Sequence, residues 1–269
     1  MIQPVPIRLV HRRTDGIKGI RGNSDCRTCH LGESEVGPAA AGRSTKLLAP
    51  STTHRCAHLM SIRRLVYGFD PLCGWCYGFG PVMERLTRVR PELPIELVLG
   101  GLVTGDRVGP YARMVDYIRG ASEQMTAVTG QALSEKFFAL IEDPTTLSAS
   151  APPSWVLMKV REAHPSRVLD YARVLQSMHF QEGQDLNAID THLRVARRIE
   201  VTLPDVSPFP EVTDTHPEIA SEFDRARTLD IASFPTVFAI TDDGSSRPLP
   251  TEYDPDRFFD LLEAIRQGP

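Results

Sequence analysis

Two cysteines separated by two residues, Cys73-Gly74-Trp75-Cys76, stand where an apolar run hands over to a helical pattern. The run Arg64-Leu65-Val66-Tyr67-Gly68-Phe69 reads as a strand, and the motif opens a helix expected over Cys73–Val89, with Pro81 expected to kink it. At such a junction the first sulfur lies beside backbone N–H groups that lack helical partners, at the positive end of the helix dipole. The thiolate is favoured there, and the thiolate is the nucleophile of disulfide exchange. Cys73 is therefore expected to attack, and Cys76, one turn further in, to resolve the mixed disulfide. C-x-x-C is also half of a zinc site, but no second C-x-x-C or H-x-x-H follows at the spacing of a ribbon or finger.

A second signal lies far downstream. Ser233-Phe234-Pro235-Thr236 runs directly into the β-branched and aromatic stretch Val237-Phe238-Ala239-Ile240, so a proline opens a strand where its missing N–H matters least. With this order of strand, C-x-x-C helix, long interval and X-Pro-Thr-strand, the chain resembles the thioredoxin superfamily. That resemblance implies a cis Pro235 packed against the cysteine pair. Phe69-Asp70-Pro71-Leu72-Cys73-Gly74-Trp75-Cys76-Tyr77-Gly78-Phe79 is similar to the DsbA-like branch that includes FrnE-type proteins and predicted protein-disulfide isomerases. Kappa-class glutathione transferases and 2-hydroxychromene-2-carboxylate isomerase are relatives of that branch. Members with transferase or isomerase activity typically have serine at the first motif position, whereas both cysteines are present here. The chain departs from DsbA itself in having Gly74-Trp75 between them.

The remaining pattern fits an α/β chain, a thioredoxin fold with an inserted all-helical subdomain. Pro94–Leu99 alternates as a second strand, and Gly100-Gly101 ends it. From about Asp106 to Glu200 the period is helical, with Tyr111, Met114, Val115 and Ile118 on one face. Val168, Tyr171, Ala172 and Leu175 make a second such face, and Ile189, Leu193, Ala196 and Ile199 a third. Trp155 and Met158 are expected to pack between helices. Val201–Pro217 is a proline-rich connection, followed by a helix from Glu218 to about Leu229. Thr236–Ile240 and Ser246–Leu249 form a hairpin about Asp242-Asp243-Gly244, and a last helix is capped by Asp254-Pro255, with Phe258, Leu261, Leu262 and Ile265 on its inner face. The thioredoxin-like part thus spans 60–105 and 218–269, and the insertion 106–217.

The 269 residues carry a formal net charge of −4, unevenly divided. Residues 1–59 hold nine Lys/Arg against four Asp/Glu, so residues 60–269 hold 21 against 30. An acidic body argues against nucleic acid as a partner. The first 59 residues show little apolar periodicity and are expected to be a basic extension, disordered or not native, with Met60 as the natural start. They contain Cys26-Arg27-Thr28-Cys29-His30, the pattern of covalent haem attachment, and with His54, Cys56 and His58 enough donors for zinc. No export signal or long apolar segment is read, so a cytoplasmic protein without membrane association is expected, where standing disulfides are rare.

The expected activity is thiol–disulfide oxidoreduction or disulfide isomerisation by Cys73 and Cys76, with Trp75, Phe234, Pro235 and Thr236 binding substrate and no metal or resident cofactor. Tyr77 and Phe79 either border the cleft or belong to the core. Partners are protein or small-molecule disulfides and a redox partner that the sequence does not identify. Two alternatives stand beside this reading. One is a glutathione-dependent transferase or isomerase, with glutathione as co-substrate; the other is a chaperone or adaptor without catalysis.

Overall fold

The computed structural model describes residues 61–267. In chain order its elements are β1 (Ile62–Phe69), α1 (Gly74–Val89), β2 (Ile95–Leu99), β3 (Gly109–Pro110), α2 (Val115–Thr129), α3 (Glu135–Glu142), β4 (Leu147–Ser148), α4 (Ala151–Ala163), α5 (Val168–Phe180), α6 (Ile189–Arg198), α7 (Pro217–Thr228), β5 (Thr236–Thr241), β6 (Ser246–Leu249) and α8 (Pro255–Gln267). The N-terminal extension with its cysteines and histidines lies outside the described residues. Among the described residues, no helix is long and apolar enough to cross a membrane.

β1 is central because its last five residues, Leu65–Phe69, are all buried, as a strand covered on both faces must be. It pairs in parallel with β2, Leu65 opposite Ile95 and Phe69 opposite Leu99. On its other side it pairs antiparallel with β5, which in turn pairs with β6, giving the order β2-β1-β5-β6. Alternate side chains of β1 go to opposite faces. Leu65, Tyr67 and Phe69 join the main core with Phe79, Val82 and Leu86 of α1 and Phe258 of α8. Val66 joins Val98, Ala226 and Ile231 on the side of α7.

Pro81 does not end α1, which continues from Gly74 to Val89, although the missing N–H removes one intrahelical bond. Asp254 caps α8 as its sequence indicates, its Oδ1 accepting from the N–H groups of Asp256 at 2.9 Å and Arg257 at 3.1 Å. Trp155 and Met158 are buried, and Trp155 Nε1 donates to the Val206 carbonyl at 2.8 Å, tying α4 to the proline-rich connection.

Two local patterns differ from expectation. The stretch around 105–114 holds two 3-10 turns and β3, which pairs with the distant β4 in a short ribbon, before α2 begins, and Met114 is exposed. On α6, Ile189 and Leu193 face outward; the buried stripe is Thr191, His192, Val195 and Ala196. The polar pair goes inward because it has partners: Thr191 Oγ1 donates to Asp185 O at 2.6 Å, and His192 Nε2 to Leu186 O at 2.8 Å. Tyr171 lies against the other His192 nitrogen at 3.0 Å. Polar groups so satisfied lose little by burial.

Candidate active site

Cys73 is the N-cap of α1, with extended backbone (φ −81°, ψ 110°), and its sulfur accepts the N–H of Cys76 at 3.4 Å. This satisfies one of the donors left free at a helix start. The same thiol donates to the carbonyl of Phe234, 3.4 Å away across 161 positions of sequence. The two distant sequence signals therefore meet at one sulfur. The Phe234–Pro235 peptide is cis. Both cysteines are free thiols, Cys73 5% exposed and Cys76 1%.

The two sulfurs occupy different electrostatic settings. Charge developing on Cys73 faces the amino end of α1 and the Cys76 N–H. Cys76 sits deeper, and burial together with its neighbour's thiol pushes its own ionisation well above the ordinary thiol range. Tyr67, two strand residues before Phe69, is held protonated by burial and by the nearby sulfurs, and Tyr253 is pushed up for the same reasons. Trp75 is half-buried and packs on Tyr253 with ring centroids 5.6 Å apart. Phe79 is fully buried against Phe258 and Tyr253, so it belongs to the core, whereas Tyr77 packs sideways on Phe180.

Phe234, Pro235 and Trp75 thus gather around the cysteine pair. Thr236 is directed elsewhere: it starts β5 opposite Gly68, and its hydroxyl donates to the Ser233 carbonyl at 2.6 Å, bracing the proline loop from within. The loop is seated by Phe234, whose ring fills the space above Gly100 so closely that a Cβ at Gly100 would collide with it.

The sequence reading passed over two residues beneath the motif. Asp70 is completely buried, and its carboxylate accepts from Leu72 N at 2.9 Å, Leu102 N at 2.7 Å and Ser150 Oγ at 3.1 Å. Its backbone carbonyl accepts from Cys73 N at 3.1 Å. Burial raises the acid to about 6 despite those donors, because a carboxylate without a cation is disfavoured in the interior. From α5, Gln176 Nε2 lies 3.1–3.3 Å from the carbonyls of Asp70, Pro71 and Cys73. A glutamine within an apolar helical stripe was the available signal; Asp70 looked like an ordinary turn residue before proline.

No family model matches the chain, and no curated protein matches it in sequence. Solved structures do match. The cytosolic disulfide reductase DsbM from Pseudomonas aeruginosa superposes with a TM-score of 0.64 at 24% identity, over 75% of this chain and 98% of its own. The same protein with glutathione gives 0.61 at 23%, again over 75% and 98%. A candidate protein disulfide isomerase from Nitrosomonas europaea gives 0.62 at 19%, over 78% and 100%. At these identities the likeness is one of architecture. The chain has the DsbA-like thioredoxin fold of these structures.

Proposed function

We propose that the chain is a thiol–disulfide oxidoreductase or isomerase working through Cys73 and Cys76. The observation that carries this reading is the placement of Cys73 Sγ at the amino end of α1, in contact with both Cys76 N and the carbonyl before Pro235. Cys73 as thiolate attacks one sulfur of a substrate disulfide, forming a mixed disulfide and releasing the other sulfur as a thiolate. Cys76 then loses its proton and attacks Cys73 Sγ, expelling the second substrate thiolate. The substrate disulfide gains two electrons and two protons, and the protein is left with a Cys73–Cys76 disulfide. The raised ionisation of Cys76 keeps it a thiol while Cys73 acts.

The backbone at Phe234 and the half-buried face of Trp75 provide the surface against which an extended substrate chain lies. A small thiol or a partner protein restores the dithiol. Glutathione is a candidate for this role, in keeping with the glutathione complex of DsbM, and the description of that neighbour as a cytosolic reductase supports work in a reducing compartment.

A glutathione redox titration of the full chain, with mass spectrometry reporting Cys73 and Cys76, tests the proposal. Reversible formation of an internal disulfide is expected, and its potential separates reductant, isomerase and oxidant. Cys73→Ser should abolish turnover and Cys76→Ser should accumulate mixed disulfides. Normal turnover by the Cys73 variant, or bound glutathione with both cysteines reduced throughout, would end it.

A further inference from the structure

Gln176 of α5 is buried between core residues of its own helix, Leu175 and Met178. An amide is disfavoured in such a place unless its hydrogens meet acceptors. Here they meet three: Nε2 lies 3.1 Å from the carbonyl oxygen of Cys73, 3.2 Å from that of Asp70 and 3.3 Å from that of Pro71. Carbonyls only accept, so it is the nitrogen of the amide that faces them. Two hydrogens serve three oxygens, and at least one hydrogen is shared.

Three carbonyl oxygens gathered around one nitrogen are close to one another, and their negative ends repel. A donor between them makes the gathering stable, and it fixes the peptides that carry them. The Pro71–Leu72 peptide is held at both ends, its oxygen by Gln176 and its N–H by Asp70 Oδ1 at 2.9 Å. The Cys73 carbonyl is held by Gln176 and by the first helical N–H, that of Tyr77, at 3.1 Å. The direction of this carbonyl is the ψ angle of Cys73, 110°, and ψ decides where the side chain of an N-cap residue stands against the helix that follows. In the observed setting the sulfur accepts the Cys76 N–H at 3.4 Å and meets the Phe234 carbonyl at 3.4 Å. Without the amide, three buried carbonyls lose a donor, and the turn is free to rotate them elsewhere.

We propose that Gln176 is a positioning residue for Cys73: by fixing the turn from behind, it keeps the sulfur on the Cys76 N–H, where the thiolate is stabilised for attack. The use of that thiolate in turnover rests on the redox reading above; its reactivity as a thiol does not.

Alkylation of Cys73 by iodoacetamide in the full chain, followed by mass spectrometry from about pH 5 to 10, tests the positioning, because the rate follows the thiolate. Gln176→Met keeps the length of the side chain and removes the donor. The rise of rate with pH should be displaced upward, with reaction near neutral pH about tenfold slower and the alkaline plateau within about twofold of wild type. Tyr171→Phe is the control on the same helix, since the Tyr171 hydroxyl lies against His192 of α6 at 3.0 Å. It should weaken the helical block and leave the alkylation profile in place. Gln176→Glu, which keeps the shape and offers at most one hydrogen, should displace the profile in the same direction and decides the matter if the methionine variant does not fold. A profile that coincides with wild type in a folded Gln176 variant, or an equal displacement in Tyr171→Phe, overturns the positioning role.

Turnover of a small disulfide tests its use. Gln176→Met should lower kcat about tenfold near neutral pH, with KM within about twofold, and regain most of the wild-type rate at alkaline pH. Unchanged kcat in a variant whose alkylation is slowed overturns the role in turnover. If the wild type itself turns over no disulfide, the redox reading falls, while the alkylation profiles still decide whether Gln176 positions Cys73.

Discussion

Arg161 of α4 and Glu222 of α7 form a two-pronged ion pair, Nη1 to Oε1 at 2.7 Å and Nη2 to Oε2 at 2.9 Å, laid along the free edge of β2. The same Arg161 nitrogen donates to Leu97 O at 2.8 Å, and Glu222 Oε1 accepts from Leu99 N at 3.1 Å. The pair therefore occupies the backbone groups that a further strand would use. An edge covered in this way is closed to pairing with another chain.

Glu222→Ala leaves Arg161 without its partner and Leu99 N without an acceptor. Loss of one member of a buried pair typically costs about 3–5 kcal/mol, and the partial exposure of Arg161 places the expected loss at the lower end. Urea denaturation measures this. Sedimentation of the variant should also show concentration-dependent association through β2. A variant that is both as stable and as monodisperse as the wild type would show that the edge needs no cover.

Asp70 should give a pH-dependent stability of unusual sign. Its folded value of about 6 lies above the ordinary value near 4, so the folded state holds the proton more tightly. Its contribution is complete below about pH 4 and is lost as pH rises through about 6, by roughly 3 kcal/mol for a displacement of about two units. Asp70→Asn keeps an acceptor oxygen but has no proton to lose. The stability of this variant relative to the wild type should rise between about pH 4 and 6.5 and then level off. A flat difference across that window would show that the carboxyl ionises as readily in the folded protein as in the unfolded chain.

His179 and His192 work in the opposite direction. Burial pushes both down to about 4. Carbonyl acceptors fix the neutral tautomers: His179 Nδ1 donates to Gln184 O at 2.9 Å and His192 Nε2 to Leu186 O at 2.8 Å. Depressed values mean stability that is present above about pH 6.5 and lost as pH falls towards about 4, roughly 3 kcal/mol for each ring. Asp70 offsets one of them over the same window. His179→Gln, which retains a donor, should flatten the acid limb measured by urea midpoints. An unchanged slope in the variant would assign the acid sensitivity to other groups.

Gly100 and Phe234 should behave as a coupled pair. Gly100→Ala places a methyl where the ring lies, so the ring and the carbonyl that meets Cys73 must move, at an expected cost of about 1–3 kcal/mol. Phe234→Ala removes the obstruction. The double variant should be more stable than the two single losses added together imply, by about 1 kcal/mol or more. Thiol reactivity of Cys73 towards a small disulfide should change in Gly100→Ala and be partly restored in the double variant. Strict additivity in both readouts would separate the ring from the loop.

The strand, the cysteine helix and the proline strand were legible because each carries a local signature: Leu65–Phe69 is continuously apolar, Cys73 stands at a helix start, and Pro235 opens β5. Their meeting was legible only through the resemblance, since nothing local links Cys73 to Phe234. The inward face of α6 was misread because periodicity weighs apolar residues, whereas Thr191 and His192 are buried by hydrogen bonds that form only in the folded chain. Asp70 was missed for the same reason. Its neighbours in space, Leu102 and Ser150, lie far along the chain, and an aspartate before proline is usually solvated in a turn.

Gln176 bears on how such a chain can be inherited. One amide nitrogen of α5 is shared among three carbonyls of the turn that carries Cys73. Excision of the helices between β2 and α7 would leave all four sheet strands intact on paper, yet strip the cysteine turn of this donor and Asp70 of Ser150. The reactive end and the helical block are thus expected to be gained, duplicated or lost together, and a shortened gene would encode a scaffold with its thiols out of place.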